Sequence, residues 1–316
     1  MKGSAASLWL SWGELMLHRL RQVNFVVRDL SYATGLYESY LGMRSVRSYE
    51  TGEGNHSVLY AGDGTFIDLW HPDLGDAESS TFRENRGQGP YELVFETMEL
   101  DSLAAHLSGT GIRVSAVARH QGWRSILIDQ ASANGARLRI VEVEPGSNPW
   151  PMAGAGWLAS PEPGIMRLRQ IAVLVRDLDA ALARWGEMFG LEATKRFQVS
   201  FTDLEIAVIP LLGRDTFIEL AQPTGPDAPS QRFLDRYGEG LYLTIYEISD
   251  SLGMDAHLVE QGARFTSSRQ TENYTNLGFN SIWLHPAGFL GAFTQLSQVF
   301  SPDNPWPPAG EDWYLE

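Results

Sequence analysis

Arg21-Gln22-Val23-Asn24-Phe25-Val26-Val27-Arg28-Asp29-Leu30 returns later in the chain as Arg169-Gln170-Ile171-Ala172-Val173-Leu174-Val175-Arg176-Asp177-Leu178. Both copies read as a strand of β-branched and aromatic residues that runs into an aspartate suited to cap a helix. Leu30, Ala33, Leu36, Tyr37 and Leu41 then recur at helical spacing, and Gly42 ends the helix. Two more echoes follow in the same order. Thr65-Phe66-Ile67-Asp68-Leu69 reappears as Thr216-Phe217-Ile218-Glu219-Leu220, and Asn148-Pro149-Trp150-Pro151 as Asn304-Pro305-Trp306-Pro307. Ordered matches of this kind mean a duplicated unit.

Each half divides again into two similar pieces. After its helix the first piece shows strand-like runs at Arg44 to Glu50, Asn55 to Tyr60 and Thr65 to Trp70, parted by glycine-rich turns. The second piece has strands at Tyr91 to Glu96, Arg113 to Arg119, Arg124 to Asp129 and Ala136 to Val143, with a helix at Leu100 to Gly109. The third opens with Gln170 to Val175, helix Leu178 to Phe189 and last strand Thr216 to Ala221. The fourth has Leu241 to Ile248, helix Leu252 to Gln261, and strands Ser281 to His285 and Gly291 to Leu296. The fold class expected is α+β, two modules each of paired βαβββ motifs forming cup-shaped, mostly antiparallel sheets. Expected boundaries are a leader arm at 1–17, modules at 18–145 and 165–300, a Pro- and Gly-rich linker at 146–164, and a tail at 301–316. Trp150, Trp157, Trp306 and Trp313 are expected to pin the tails across the sheets.

The 316 residues suffice for two ordinary domains, and 43% are hydrophobic. A formal charge of −15 argues against nucleic acid or an anionic membrane as partner, since both are polyanions. With no cysteine, disulfides, thiolate nucleophiles and Cys-ligated metals are excluded, which fits a cytoplasmic protein. No Walker loop or GxGxxG follows a strand, so a nucleotide cofactor has no support.

The openings "RQVNFVVRDL…YESYLGM" and "RQIAVLVRDL…WGEMFGL", with "TFIDLWHP" and "TFIELAQP", resemble the vicinal oxygen chelate superfamily of glyoxalases, epimerases, bleomycin-resistance proteins and extradiol dioxygenases. "WLHPAGFLGAFTQLSQ" resembles the end of the epimerases. The resemblance implies cups that hold one divalent metal ion (Mn, Fe, Zn, Ni, Co or Mg) against two substrate oxygens, as a Lewis acid. Position by position it puts Gln22, Asp68 and Glu92 at ligand places in the first cup, with Arg139 at the fourth. In the second cup it puts Gln170, Glu219 and Gln295, with Leu243 where a ligand would stand. A guanidinium has no lone pair to give, which leaves two readings: Gln22, Asp68 and Glu92 hold a hard ion such as Mg²⁺ or Mn²⁺ with waters, or Arg139 neutralises Asp68 and Glu92 in an internal ion cluster.

The functional expectation is an enzyme, a glyoxalase- or epimerase-like non-redox lyase or isomerase working through an oxyanion on a small oxygenated substrate. Glu219 and Glu92 are candidates to move the proton, and His56, on a cup strand, to touch substrate. Trp70, Trp123 and Trp283 could shape the cup for an aromatic ligand. One alternative is a metal-free binding protein of the resistance type. The other is an extradiol dioxygenase-like enzyme with atypical ligands, against which stands the loss of the two-His-one-carboxylate face. Tyr242 is set aside because strand alternation puts it on the face opposite Leu243. His285 is expected to cap a turn, and a homo-oligomer is left open.

Overall fold

The computed structural model describes residues 17–73, 77–120, 122–143, 150, 152–154, 156–159, 164–199, 202–268, 278–311 and 313–314. The expected leader, apart from Leu17, and most of the linker lie outside them.

The first half builds one eight-stranded sheet in the order β2-β3-β4-β1-β5-β8-β7-β6. Its strands are β1 (Arg19–Val26), β2 (Ser45–Thr51), β3 (Gly54–Tyr60), β4 (Phe66–Pro72), β5 (Gly89–Thr97), β6 (Ala118–His120), β7 (Trp123–Ile128) and β8 (Arg137–Glu142). Its helices are α1 (Leu30–Leu41), α2 (Ala77–Arg86) and α3 (Leu100–Gly109). The second half repeats this as β10-β11-β12-β9-β13-β16-β15-β14. It contains β9 (Arg167–Leu174), α4 (Leu178–Phe189), β10 (Phe197–Val199), β11 (Leu204–Pro210), β12 (Phe217–Pro223) and α5 (Pro229–Tyr237). It continues with β13 (Gly240–Glu247), α6 (Ser251–Glu260), β14 (Phe265–Ser267), β15 (Phe279–Leu284) and β16 (Phe293–Val299). Antiparallel pairing of β1 with β5, and of β9 with β13, joins the two pieces of each half into one curved sheet.

The helix signals act as expected. The Asp29 carboxylate accepts from the Tyr32 N–H, the Asp177 carboxylate accepts from that of Ala180, and Gly42 and Gly190 close α1 and α4 in the left-handed conformation. The His285 ring accepts from the Ala287 N–H, as a turn cap should. Two readings need correction. Of the strand expected at Arg113 to Arg119, only an isolated bridge at Val114 and β6 form, because Ser115 turns its hydroxyl onto the Leu127 N–H and β6 is the sheet edge. Helices α2 and α5 were not anticipated. Their sequences are mostly polar, so too few apolar residues mark a buried stripe.

Alternation along β1 sends Val23 and Phe25 to the helices and Gln22, Asn24 and Val26 into the cup. One core under the helices runs through both halves, with Tyr37 of α1 packed 4.7 Å from Phe289. The repeated threonines explain part of the docking. Thr65 accepts from the Leu168 N–H at 3.0 Å, and Thr216 from the Leu20 N–H at 2.8 Å, so each half completes the other's first strand. Leu17 is itself fully buried, its carbonyl accepting from the Leu212 N–H.

Gly135 lies at the same seam with φ +75°, and a Cβ there would strike the Glu239 carbonyl. Backbone does not yield like a side chain tip. Gly135→Ala is therefore expected to destabilise by about 2–4 kcal/mol, from left-handed strain plus overpacking. Thermal unfolding checks it: an unchanged melting temperature would mean that the halves are not tightly docked here.

Candidate functional site

A tail tryptophan packs against the inner face of each cup. Trp150 and Trp306 are 1% and 0% exposed, and their indole N–H groups donate to Gln22 Oε1 at 2.6 Å and Gln170 Oε1 at 2.8 Å. Arg21 and Arg169 lie over the same rings, 5.1 and 5.3 Å from the centroids. An indole N–H can only donate, so the glutamine carbonyl must face it and the amide NH2 must face away. Gln22 thus donates to Asn24 Oδ1 at 2.6 Å and Gln170 to Glu219 Oε2 at 2.6 Å. Gln295 follows the same rule, with its carbonyl on Trp283 Nε1 at 3.1 Å and its NH2 on the Ser281 and Ser297 hydroxyls.

In the N-terminal cup Glu92 is enclosed by cations. It accepts from Arg137 Nε at 2.9 Å, from Arg139 Nε and Nη2 at 2.9 and 3.2 Å, and from Asn24 Nδ2 at 2.9 Å. The expected ion cluster therefore forms on Glu92, but Arg139 does not reach Asp68 in any described contact. Asp68, 2% exposed, is held by the Tyr49 hydroxyl at 3.1 Å and His56 Nδ1 at 3.0 Å. Its Oδ1 is buried without a hydrogen-bond partner among the described residues. His56 is sandwiched between Tyr49 and Trp70, at 4.5 and 5.7 Å and nearly parallel to both. Burial, then Arg139 and His56, push the His120 imidazole down to about 3, so it is neutral at ordinary pH.

The C-terminal cup is less charged. Register pairs β3 with β4 and β11 with β12 in the same way, so Ile206 stands where His56 stands and Ala221 where Trp70 stands. In the last strand, Phe293 and Gln295 replace Arg137 and Arg139. Glu219 is the one titratable acid here whose shift is large: burial raises it to about 7, against the opposing Gln170 hydrogen bond. Tyr242 needs correction. The β13–β9 register slips between Leu241 and Leu243, and the bulge turns Tyr242 to the cup side together with Leu243. Burial, then the neighbouring Glu219 charge, raise its phenol to about 12, so it remains a donor.

Either set of residues leaves a divalent ion too few ligands, Asp68 Oδ1 being the carboxylate oxygen of the first cup that is unpartnered among the described residues. Hard cations need outward oxygen lone pairs. All three glutamine carbonyls are turned onto indole N–H groups, and both Glu92 oxygens are taken by guanidiniums. Among the described residues no group of three or more His, Cys, Asp or Glu is placed to hold a metal. Sequence reasoning brought Gln22, Asp68, Glu92 and His56 into one cup, and Gln170, Glu219 and Gln295 into the other. It missed Asn24, Tyr49, Arg137 and His120; Asn24 and Arg137 were legible by alternation from Gln22 and Arg139.

A family model described as the Glyoxalase/Bleomycin resistance protein/Dioxygenase superfamily matches residues 169–279. The ethylmalonyl-CoA/methylmalonyl-CoA epimerase of Cereibacter sphaeroides is 32% identical over 136 residues, which is 43% of this chain and 99% of the epimerase. A mutant 4-hydroxymandelate synthase from Streptomyces coelicolor superposes with a TM-score of 0.72 at 15% identity, over 93% of this chain and 96% of its own. A xylose isomerase-like TIM barrel/4-hydroxyphenylpyruvate dioxygenase fusion protein gives 0.67 at 10% identity, over 99% of this chain and 54% of its own. At such identities these two structures bear on the fold alone.

Proposed function

Since the chain belongs to the glyoxalase/bleomycin resistance protein/dioxygenase superfamily, we propose that it is a non-redox isomerase or lyase. Its working site would be the C-terminal cup, with Glu219 as the base that takes a proton from carbon next to a carbonyl. The observation that carries this reading is the Glu219 carboxyl, buried and raised to about 7. A base is most useful when its pKa lies near the working pH, so that it is deprotonated yet strong. Gln170 would hold the carboxyl in place through its 2.6 Å hydrogen bond. Tyr242, beside Glu219, would donate to the carbonyl oxygen as negative charge builds there. The proton leaves carbon for Glu219, the C–H electron pair forms a C=C bond as the carbonyl π pair moves to oxygen, and the enolate regains a proton at carbon as the carbonyl re-forms, which completes an isomerisation. Leu243 and Phe293 supply apolar walls.

An acyl-CoA thioester, the substrate type named for the Cereibacter sphaeroides relative, is the first class to try, because the carbon beside a thioester carbonyl is acidic enough for a carboxylate base. The assay is loss of the α-proton signal of methylmalonyl-CoA and propionyl-CoA in D2O. Glu219→Gln should slow exchange about 10²–10⁴-fold and Tyr242→Phe about 10²-fold. Wild-type exchange in Glu219→Gln would sink the assignment. Ring cleavage by two histidines and a carboxylate finds no support, since Gln170, Leu243 and Gln295 occupy those places.

A further inference from the structure

The N-terminal cup is a copy of the C-terminal one, yet at matched places it carries three polar side chains and one large aromatic where the other has apolar ones. His56 stands for Ile206, Trp70 for Ala221, Asn24 for Ala172, and Arg137 for Phe293. Packing alone does not require this, because the C-terminal cup fills the same positions with Ile, Ala and Phe. The exchange leaves an unusual atom, Asp68 Oδ1, buried and lacking a hydrogen-bond partner among the described residues. A buried carboxylate oxygen left so costs about 1–3 kcal/mol or more, which a ligand donor would recover. His56 adds a second acceptor. In the tautomer that gives its Nδ1 proton to Asp68 Oδ2, the imidazole presents an Nε2 lone pair, and the ring is 12% exposed. Arg139, its side chain 15% exposed, brings N–H donors to the same cup. The lining charges cancel, Asp68 and Glu92 against Arg137 and Arg139, so a charged ligand has no net field to favour it. Trp123 is half-buried against the cup cluster and offers an aromatic face.

We propose that the N-terminal cup is a second binding site, for a small uncharged molecule carrying several hydroxyl groups, a sugar or similar polyol. Each hydroxyl can donate to Asp68 Oδ1 or His56 Nε2 and also accept from Arg139, and several on one ring can do so at once, while C–H faces of a polyol pack on indole. This site stands independently of proton transfer at Glu219.

The test is calorimetric titration of the full chain with myo-inositol and with methyl glucoside, acetate serving as the anionic control. Saturable binding of at least one polyol is expected, with a dissociation constant below about 10 mM. Asp68→Asn, close in shape, and His56→Phe, which keeps the stack between Tyr49 and Trp70, should each weaken it at least about tenfold. Melting curves show whether each variant is folded, and Glu219→Gln should bind the polyol as wild type does. The proposal is overturned if neither polyol binds below about 10 mM, if acetate binds more tightly than both, or if either Asp68→Asn or His56→Phe, folded, retains wild-type affinity.

Discussion

Trp306→Ala is expected to destabilise the C-terminal module by about 4–6 kcal/mol, enough to lower its melting temperature by roughly 10–20 °C. The indole is fully buried and touches several layers of the cup at once. It packs with Phe217 and Leu243, lies under the Arg169 guanidinium at 5.3 Å, and holds Gln170 Oε1 at 2.8 Å. Removing a buried tryptophan side chain costs about 3–5 kcal/mol in transfer and cavity terms. The abandoned Gln170 carbonyl adds about 1–3 kcal/mol, and the two do not sum fully because the cup relaxes. Trp306→Phe separates them: it keeps most of the area and loses the hydrogen bond, so it should cost only about 1–3 kcal/mol. Trp150→Ala should act alike in the first half, through Gln22 and Arg21. Urea unfolding reads all three. An alanine variant within about 1 kcal/mol of wild type would mean that the tail does not brace the cup.

Glu219→Gln is expected to stabilise the folded protein at pH 8 and to leave it nearly unchanged at pH 5. The sign follows from the raised pKa. Glu219 sits at about 7 in the folded chain against an ordinary value of 4.5. Between those two values the folded state holds a proton that the unfolded state has released, so stability from this group falls as pH rises through that window. Below 4.5 both states are protonated and nothing is lost. Above about 7 the full penalty of an ionised buried carboxylate is present, on the order of 3 kcal/mol. Glutamine carries no charge to bury and can still accept from the Gln170 amide. The difference in melting temperature between variant and wild type should therefore widen from pH 5 to pH 8. A difference that stays flat across this range would mean that Glu219 is solvated, and the argument for it as a base near neutrality would fall with it.

The same residue would show both effects, gain in stability and loss of proton exchange. That trade is what a buried base produces, since the ionised form needed for chemistry is the form the fold disfavours.

Much of this was legible in local signals. Asp29 and Asp177 announced two helix starts, Gly42 one helix end, and the paired TFIDL and TFIEL runs marked equivalent strands. The family resemblance put Gln22, Asp68 and Glu92 in one cup, and their side chains lie on its face of the sheet. Tyr242 was placed by strand alternation, and that failed because a single inserted residue at the bulge reverses the alternation and no side chain type marks the insertion. Polar helices α2 and α5 failed because a short solvated helix carries little apolar periodicity.

Duplication and the order of the main strands and of helices α1, α3, α4 and α6 were legible in the sequence alone, because caps, turns and period-two patterns are local and survive copying. Tertiary structure alone decided how the side chains of each cup are oriented. An indole N–H far along the chain turns each glutamine carbonyl away from a metal, two guanidiniums take up Glu92, and burial lifts Glu219 to about 7. Those outcomes depend on which groups meet and how much water remains between them, quantities that arise only when distant segments close over one another.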